Sequence, residues 1–237
     1  MNGVAEDAVQ LYCRSIGFEP SCRTVLTEGT SDAALFRLAR DLEFRKSGVD
    51  LYGTDFTIAA AGHGNDGGTT GILRELSRLK GFSRIVLTQD GRQIYRFIGL
   101  FDNDNAGRYA ARTSNALNTD IFEYRDVYRL RPVMPKTRNY DLKAMKGLFE
   151  SENLPYEKLD WECEDLLLSS FVEDFILEQP KALRSRAKMS GLEHREWTDE
   201  GKSKLHKYVS QYAVHADLEA VIDVIRCLRS LMGLPAL

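Results

Sequence analysis

Along the first half of the chain, short apolar runs alternate with longer segments in which apolar positions recur every three or four residues. Residues 23–27 (RTVLT) are apolar and β-branched, lie between Pro20 and Gly29, and predict a buried strand. Thr30 or Ser31 then caps a helix in which Leu35, Leu38, Ala39 and Leu42 form one stripe as far as about Lys46. The unit recurs. Residues 55–60 (DFTIAA) predict a second strand, residues 62–68 are glycine-rich, and a helix follows over about 69–79. Residues 84–88 (RIVLT) and 95–101 (YRFIGLF) are both strand-like with an Asp-Gly turn signal between them. The pattern leaves open whether they form a hairpin or two separate strands. Residues 126–133 (DVYRLRPV) predict one more strand, closed by Pro132 and Pro135.

This alternation implies an α/β fold, a mainly parallel sheet with helices on both faces. From about Leu142 onward the pattern is helical, and it ends in an amphipathic helix over 221–231. The apolar face of that helix, with Val221, Ile222, Val224, Ile225, Leu228 and Leu231, either covers the sheet or makes a homodimer contact. A chain of 237 residues fits one large core or a core with an extension.

Composition narrows the classes. A formal net charge of -3 provides no bulk positive field of the kind a strongly basic nucleic-acid-binding domain displays. A local basic stripe, Lys181, Arg184, Arg186 and Lys188, reads either as a phosphate contact or as a solvated helix face. Cys13, Cys22, Cys163 and Cys227 have no CxxC spacing, which argues against structural zinc. The N-terminal segment MNGVAEDAVQ lacks the basic and apolar regions of a secretory signal, and no long apolar stretch occurs. The expectation is a reduced, cytoplasmic protein without membrane association.

The chemistry concentrates in carboxylates at strand ends. In open α/β sheets, ligands collect outside the carboxyl ends of the strands. Glu28 ends the first strand and Asp102 a later one. Asp104, two residues on, points the same way if the backbone stays extended. Asp32 sits on the first helical turn after Glu28, where it either caps the helix or faces the strand ends. Four carboxylates gathered at one spot repel each other unless a cation neutralises them. Oxygen-only ligation favours a hard ion, Mg2+ or Mn2+, whose remaining ligands come from water and substrate phosphate. That chemistry is phosphoryl transfer. An EF-hand reading fails, because its final glutamate position is Thr113 here.

Glu28-Gly29 with Asp32, followed some seventy residues later by Asp102-x-Asp104-x-x-Gly107, resembles the Toprim domain of topoisomerases, bacterial primases, recombination proteins and OLD (overcoming lysogenization defect) nucleases. The resemblance covers residues 20–135 as a catalytic core and makes 136–237 a helical extension that completes the active site. Within that extension Glu164-Asp165-Leu166-Leu167 and Thr198-x-x-Gly201-Lys202 resemble segments of OLD-type nucleases and related phage-defence effectors. The resemblance implies that Glu28, Asp32, Asp102 and Asp104 hold one metal ion and that Glu164 helps hold a second. It also implies that Lys202 stabilises the transition-state phosphate. The catalytic set is then Glu28, Asp102, Asp104 and Lys202.

The chain departs from that family's larger members. It has no Walker A motif, because Glu196 stands where the glycine before Gly201-Lys202-Ser203 would be needed, so any ATPase is a separate chain. Backbone N–H groups of Gly64, Gly67 and Gly68 could cradle phosphate, or the loop is a plain turn; His63 in it reads as a general base or an exposed loop residue. His194, His206 and His215 read as surface residues, and Trp161 and Trp197 as core anchors rather than base-stacking platforms. The function expected is a Mg2+- or Mn2+-dependent nuclease, acting on DNA or a structured RNA such as tRNA in anti-phage defence. The alternatives are a Toprim-fold binding module without chemistry and a small-molecule phosphohydrolase.

Overall fold

A computed structural model describes residues 6–62, 66–139 and 141–237. The chain folds into two compact units that are interleaved along the sequence. Unit 1 is Met1–Ala33, Tyr52–Phe101 and Tyr109–Tyr128; unit 2 is Ala34–Leu51, Asp102–Arg108 and Arg129–Leu237.

Unit 1 is built on a four-stranded parallel sheet in the order β2-β1-β3-β4, with β1 Arg23–Thr27, β2 Phe56–Ala60, β3 Arg96–Phe101 and β4 Val127–Arg129. Register runs from Arg23↔Phe56 to Thr27↔Ala60 on one side of β1 and from Arg23↔Arg96 to Leu26↔Gly99 on the other. The strands are near-continuously apolar, the pattern of a parallel sheet buried on both faces. In chain order the helices are α1 Ala8–Ser15, α2 Thr30–Ser47, α3 Gly68–Ser83 and α4 Asn105–Leu117. Ile72, Leu73, Leu76 and Leu79 of α3 pack with Leu26, Phe97, Phe101 and Val127 of the strands. Gly99 is required there: a Cβ would collide with the Cγ2 of Ile72. The chain leaves β1 toward β2 but leaves β3 toward β4, so the connections reverse between these two paired strands, the position where such sheets open a crevice.

Two expectations are corrected here. Residues 84–88 form no strand of the sheet: α3 runs on to Ser83, Ile85 is 72% exposed, and only an isolated antiparallel bridge joins Leu87 to Gln93. A tight turn joins them, with Thr88 N–H donating to Arg92 O at 2.8 Å and Ile94 N–H to Val86 O at 3.4 Å. The strand read over 126–133 shortens to β4, since the prolines that close it have no N–H to extend the pairing.

Unit 2 contains α5 Leu142–Glu152, α6 Ser169–Glu178, α7 Asp199–Tyr212 and α8 Glu219–Leu231. The six apolar residues named for the last helix are all buried. A hairpin that the helical pattern did not anticipate, β5 Leu183–Met189 and β6 Leu192–Trp197, interrupts the helices. Its turn places Ser190 at φ 49° and Gly191 at φ 85°, the paired left-handed conformation of a two-residue hairpin loop. Of the basic stripe, Lys181 lies in the 3-10 turn Pro180–Ala182, and the three residues on β5 are paired: Arg184 with Glu196 at 2.9 Å, Arg186 with Glu173 at 2.8 Å, and Lys188 with Glu193 at 3.6 Å. Among the described residues, no helix is long and apolar enough to cross a membrane.

Candidate active site

Within unit 2 the site is assembled from three segments. The first is the 3-10 turn Cys163–Leu166, which carries Glu164. Asp165 fixes this turn: its Oδ2 accepts from Glu162 N–H at 2.8 Å and lies 2.7 Å from His194 Nδ1, while its Oδ1 accepts from Arg195 N–H at 3.1 Å. The turn is thereby tied at both ends of Asp165 to β6, and its next side chain, Glu164, is 2% exposed.

The second segment is the start of α7. Thr198 caps the helix by accepting Gly201 N–H on its hydroxyl at 3.0 Å, and its own N–H donates to Ala182 O at 2.9 Å. Gly201 lies against the same Ala182 carbonyl, where any Cβ would collide with backbone. The Thr-x-x-Gly-Lys pattern thus has a mechanical reading: threonine starts the helix, glycine permits close docking, and Lys202 emerges beside the 3-10 turn. Its Nζ lies 3.0 Å from Glu162 Oε2 and 3.1 Å from Glu164 Oε2. One helical turn later His206 places Nε2 2.6 Å from Glu164 Oε1.

The third segment is Asp102–Arg108, which leaves the carboxyl end of β3. Asn103, fully buried, anchors it: its N–H donates to Trp161 O at 2.8 Å, its Nδ2 to Leu159 O at 3.1 Å, and its Oδ1 accepts from Arg129 at 3.0 Å and Arg131 at 3.3 Å. Residues 159–161 run directly into Glu162, so this amide ties the Asp102 segment to the chain that bears Glu162 and Glu164. Asp102 lies close enough to Lys202 to add to the negative field on its ammonium. Asp104 is an N-cap, accepting Gly107 N–H at 2.7 Å.

The electrostatics follow. Burial opposes ionisation of Glu164, but the His206 hydrogen bond and the Lys202 charge outweigh it and hold the carboxyl down at about 2. Burial likewise opposes the Lys202 ammonium, and Glu164, Asp102 and Glu162 together push its pKa well above the ordinary lysine range. Glu162, more desolvated than it is compensated, moves up. The Oε2 of Glu164 is buried and makes no hydrogen bond: the Lys202 ammonium is near it but off the hydrogen-bond direction. A buried, ionised and directionally unsatisfied carboxylate oxygen, with an imidazole on its partner oxygen and Asp102 nearby, fits a hard divalent cation.

In unit 1, Glu28 follows β1, half-buried, and its carbonyl accepts Gly68 N–H at 2.9 Å. Asp32, 6% exposed, accepts Gly29 N–H on Oδ2 at 3.0 Å, the third-position half of a capping box. Gly67 caps α3, and because the Gly68 N–H is taken by Glu28 it is not directed at a ligand. Gly64 and His63 lie outside the described residues.

Sequence reasoning missed Glu162, Asn103 and the histidines. His194, read as a surface residue, is 7% exposed on Asp165; His206 is on Glu164; and His215 is on Glu43 at 2.6 Å. Only the i, i+4 spacing of Lys202 and His206 on one helix face could have flagged the second. Trp161 and Trp197 are buried, as expected of anchors. No family model, curated protein or solved structure matches the chain.

Proposed function

We propose that this protein is a Toprim-type, Mg2+- or Mn2+-dependent nuclease that hydrolyses phosphodiester bonds in nucleic acid. The observation that carries the reading is Lys202, an ammonium held beside the buried, ionised Glu164 with Asp102 in range. Support also comes from sheet topology, since Glu28 and Asp102 are the residues that directly follow the paired strands β1 and β3 on either side of the connection reversal. By the resemblance, Glu28, Asp32, Asp102 and Asp104 would hold one ion and Glu164 would help hold a second, and the metal would supply activation of water and neutralisation of phosphate charge. His206 orients Glu164. Lys202, cationic throughout the neutral range, steadies a non-bridging phosphate oxygen electrostatically and does not deliver a proton. By the same resemblance the trigger is a separate ATPase and the setting anti-phage defence.

One observation favours the alternative of a binding module: the Lys202 ammonium, 3.0 and 3.1 Å from two carboxylates, already neutralises them as a cation would. Incubating pure protein, alone and with any genetically adjacent ATPase, with plasmid DNA and with total RNA in Mg2+ or Mn2+, beside Asp102→Asn and Lys202→Ala, separates the two. The nuclease reading expects metal-dependent cleavage that both variants lose. Cleavage that survives in Asp102→Asn overturns the site, and absence of cleavage of both polymers under every metal and partner condition favours the binding module.

A further inference from the structure

At the carboxyl end of β2, unit 1 holds a cavity of about 550 Å³, bounded by Ala61 and Gly62, the last turn of α1 and the face of α3 that carries Arg74 and Arg78. Its size is that of a small-ligand pocket, for which about 300–1,000 Å³ is usual. At its base is Glu75, 2% exposed. Oε1 accepts from Arg74 Nε at 2.6 Å and from Arg78 Nη1 at 3.2 Å, and Oε2 accepts the Tyr12 hydroxyl at 2.5 Å. Arg78 Nη1 also donates to the Tyr12 oxygen at 3.0 Å. Burial raises the pKa of Glu75, and the Tyr12 and Arg74 hydrogen bonds with the Arg78 charge bring it below the ordinary value, so the carboxylate is ionised and saturated.

A buried carboxylate clamped by two arginines adds little stability over an apolar residue of the same size. Its effect is geometric: it fixes two planar guanidinium groups at the cavity. Among the described residues the Nε and Nη2 of Arg78 have no partner, whereas Arg74 Nη2 donates to Asp66 O at 2.9 Å and its Nη1 faces the Asp66 carboxylate at 3.9 Å. The third arginine at the rim, Arg14, is taken up by Glu6 and Glu19 and offers no free charge. The free Nε–Nη2 fork of Arg78, held this way, matches the paired oxygens of a phosphate. The cavity also lies on the sheet edge that Glu28 leaves: Ala61 N–H donates to Thr27 O at 2.9 Å, and α3 starts at Gly68, whose N–H is on Glu28 O.

We infer that Arg78, its guanidinium steadied beside Arg74 on Glu75, forms a phosphate subsite for the backbone of a nucleic-acid strand, an inference that takes its ligand from the nuclease reading. The test is fluorescence anisotropy of the full chain with a labelled single-stranded DNA oligonucleotide in EDTA, across a salt series, so that binding is read without cleavage. Arg78→Ala is expected to weaken binding about tenfold, equally for different base sequences, and to reduce the salt slope by about one. Arg78→Lys keeps the charge but not the fork and falls between. An unchanged affinity and slope in Arg78→Ala, with its melting curve unaltered, overturns the subsite, as does absence of oligonucleotide binding by the wild type. Metal-dependent cleavage is measured separately on the wild type, alone and with any genetically adjacent ATPase. Arginine-dependent binding without cleavage keeps the subsite and removes the nuclease; cleavage with arginine-independent binding does the reverse.

Discussion

The ammonium of Lys202 lies 3.1 Å from Oε2 of Glu164, a carboxylate whose side chain is 1% exposed. Removing one partner of a buried ion pair strands the other. Lys202→Met is therefore expected to cost about 3–5 kcal/mol of stability, and Lys202→Met combined with Glu164→Gln to recover most of it. Urea unfolding of both single variants and the double beside the wild type checks this. Losses that simply add would show that the two groups are not energetically coupled.

Glu164 also sets an acid limit. Its carboxyl is at about 2 in the folded chain against 4.5 for the ordinary group. A depressed carboxylate contributes stability that is fully present above pH 4.5 and is lost as pH falls toward 2. Its contribution is on the order of 3 kcal/mol. In that window Glu164→Gln should show a flatter stability profile than the wild type, measured as unfolding free energy at successive pH values; parallel profiles would remove Glu164 as the cause.

Gly201→Ala would push a methyl into the Ala182 carbonyl at the point where α7 docks. An overpacked contact with backbone costs about 1–3 kcal/mol, and relief can come only by shifting the helix start that carries Lys202. Both the melting temperature and metal-dependent cleavage should fall. A variant of unaltered stability would show that the close approach is not needed.

Asp165 holds the imidazole of His194 above its ordinary 6.5: burial lowers the histidine pKa, and the carboxylate more than reverses this. A raised histidine contributes stability below pH 6.5 that is lost as pH rises through the folded value. Asp165→Asn removes the largest favourable charge but not the burial, so the His194 pKa should fall in an NMR titration, with Glu162 and Asp160 still raising it. The same variant turns an amide NH2 toward N–H donors, at a cost of about 1–3 kcal/mol. An unchanged histidine pKa in the variant would place the cause elsewhere.

Legibility differed by segment for physical reasons. Runs such as RTVLT and the stripe of α8 carry their own signal, because an element covered on both faces or along one stripe shows its burial in residue type. The hairpin β5–β6 carries none: β5 is exposed along most of its length and alternates arginine and lysine with serine and alanine, so only its Ser-Gly turn marks it. RIVLT misled in the opposite way, with strand-like residues at a helix end that the next turn leaves exposed.

The chain by itself determined the parallel sheet, the acids placed after β1 and β3, and the Thr-x-x-Gly-Lys start of α7, since each is a local pattern with a local cause. Only the tertiary structure decided that Asn103 ties the Asp102 segment to the Glu162 chain, that Asp165 locks the 3-10 turn onto β6, and that Glu164 is buried between Lys202 and His206. These contacts join residues some 30 to 60 positions apart. Their energies come from burial and charge pairing, which exist only once the intervening chain has folded back, and no periodicity records them.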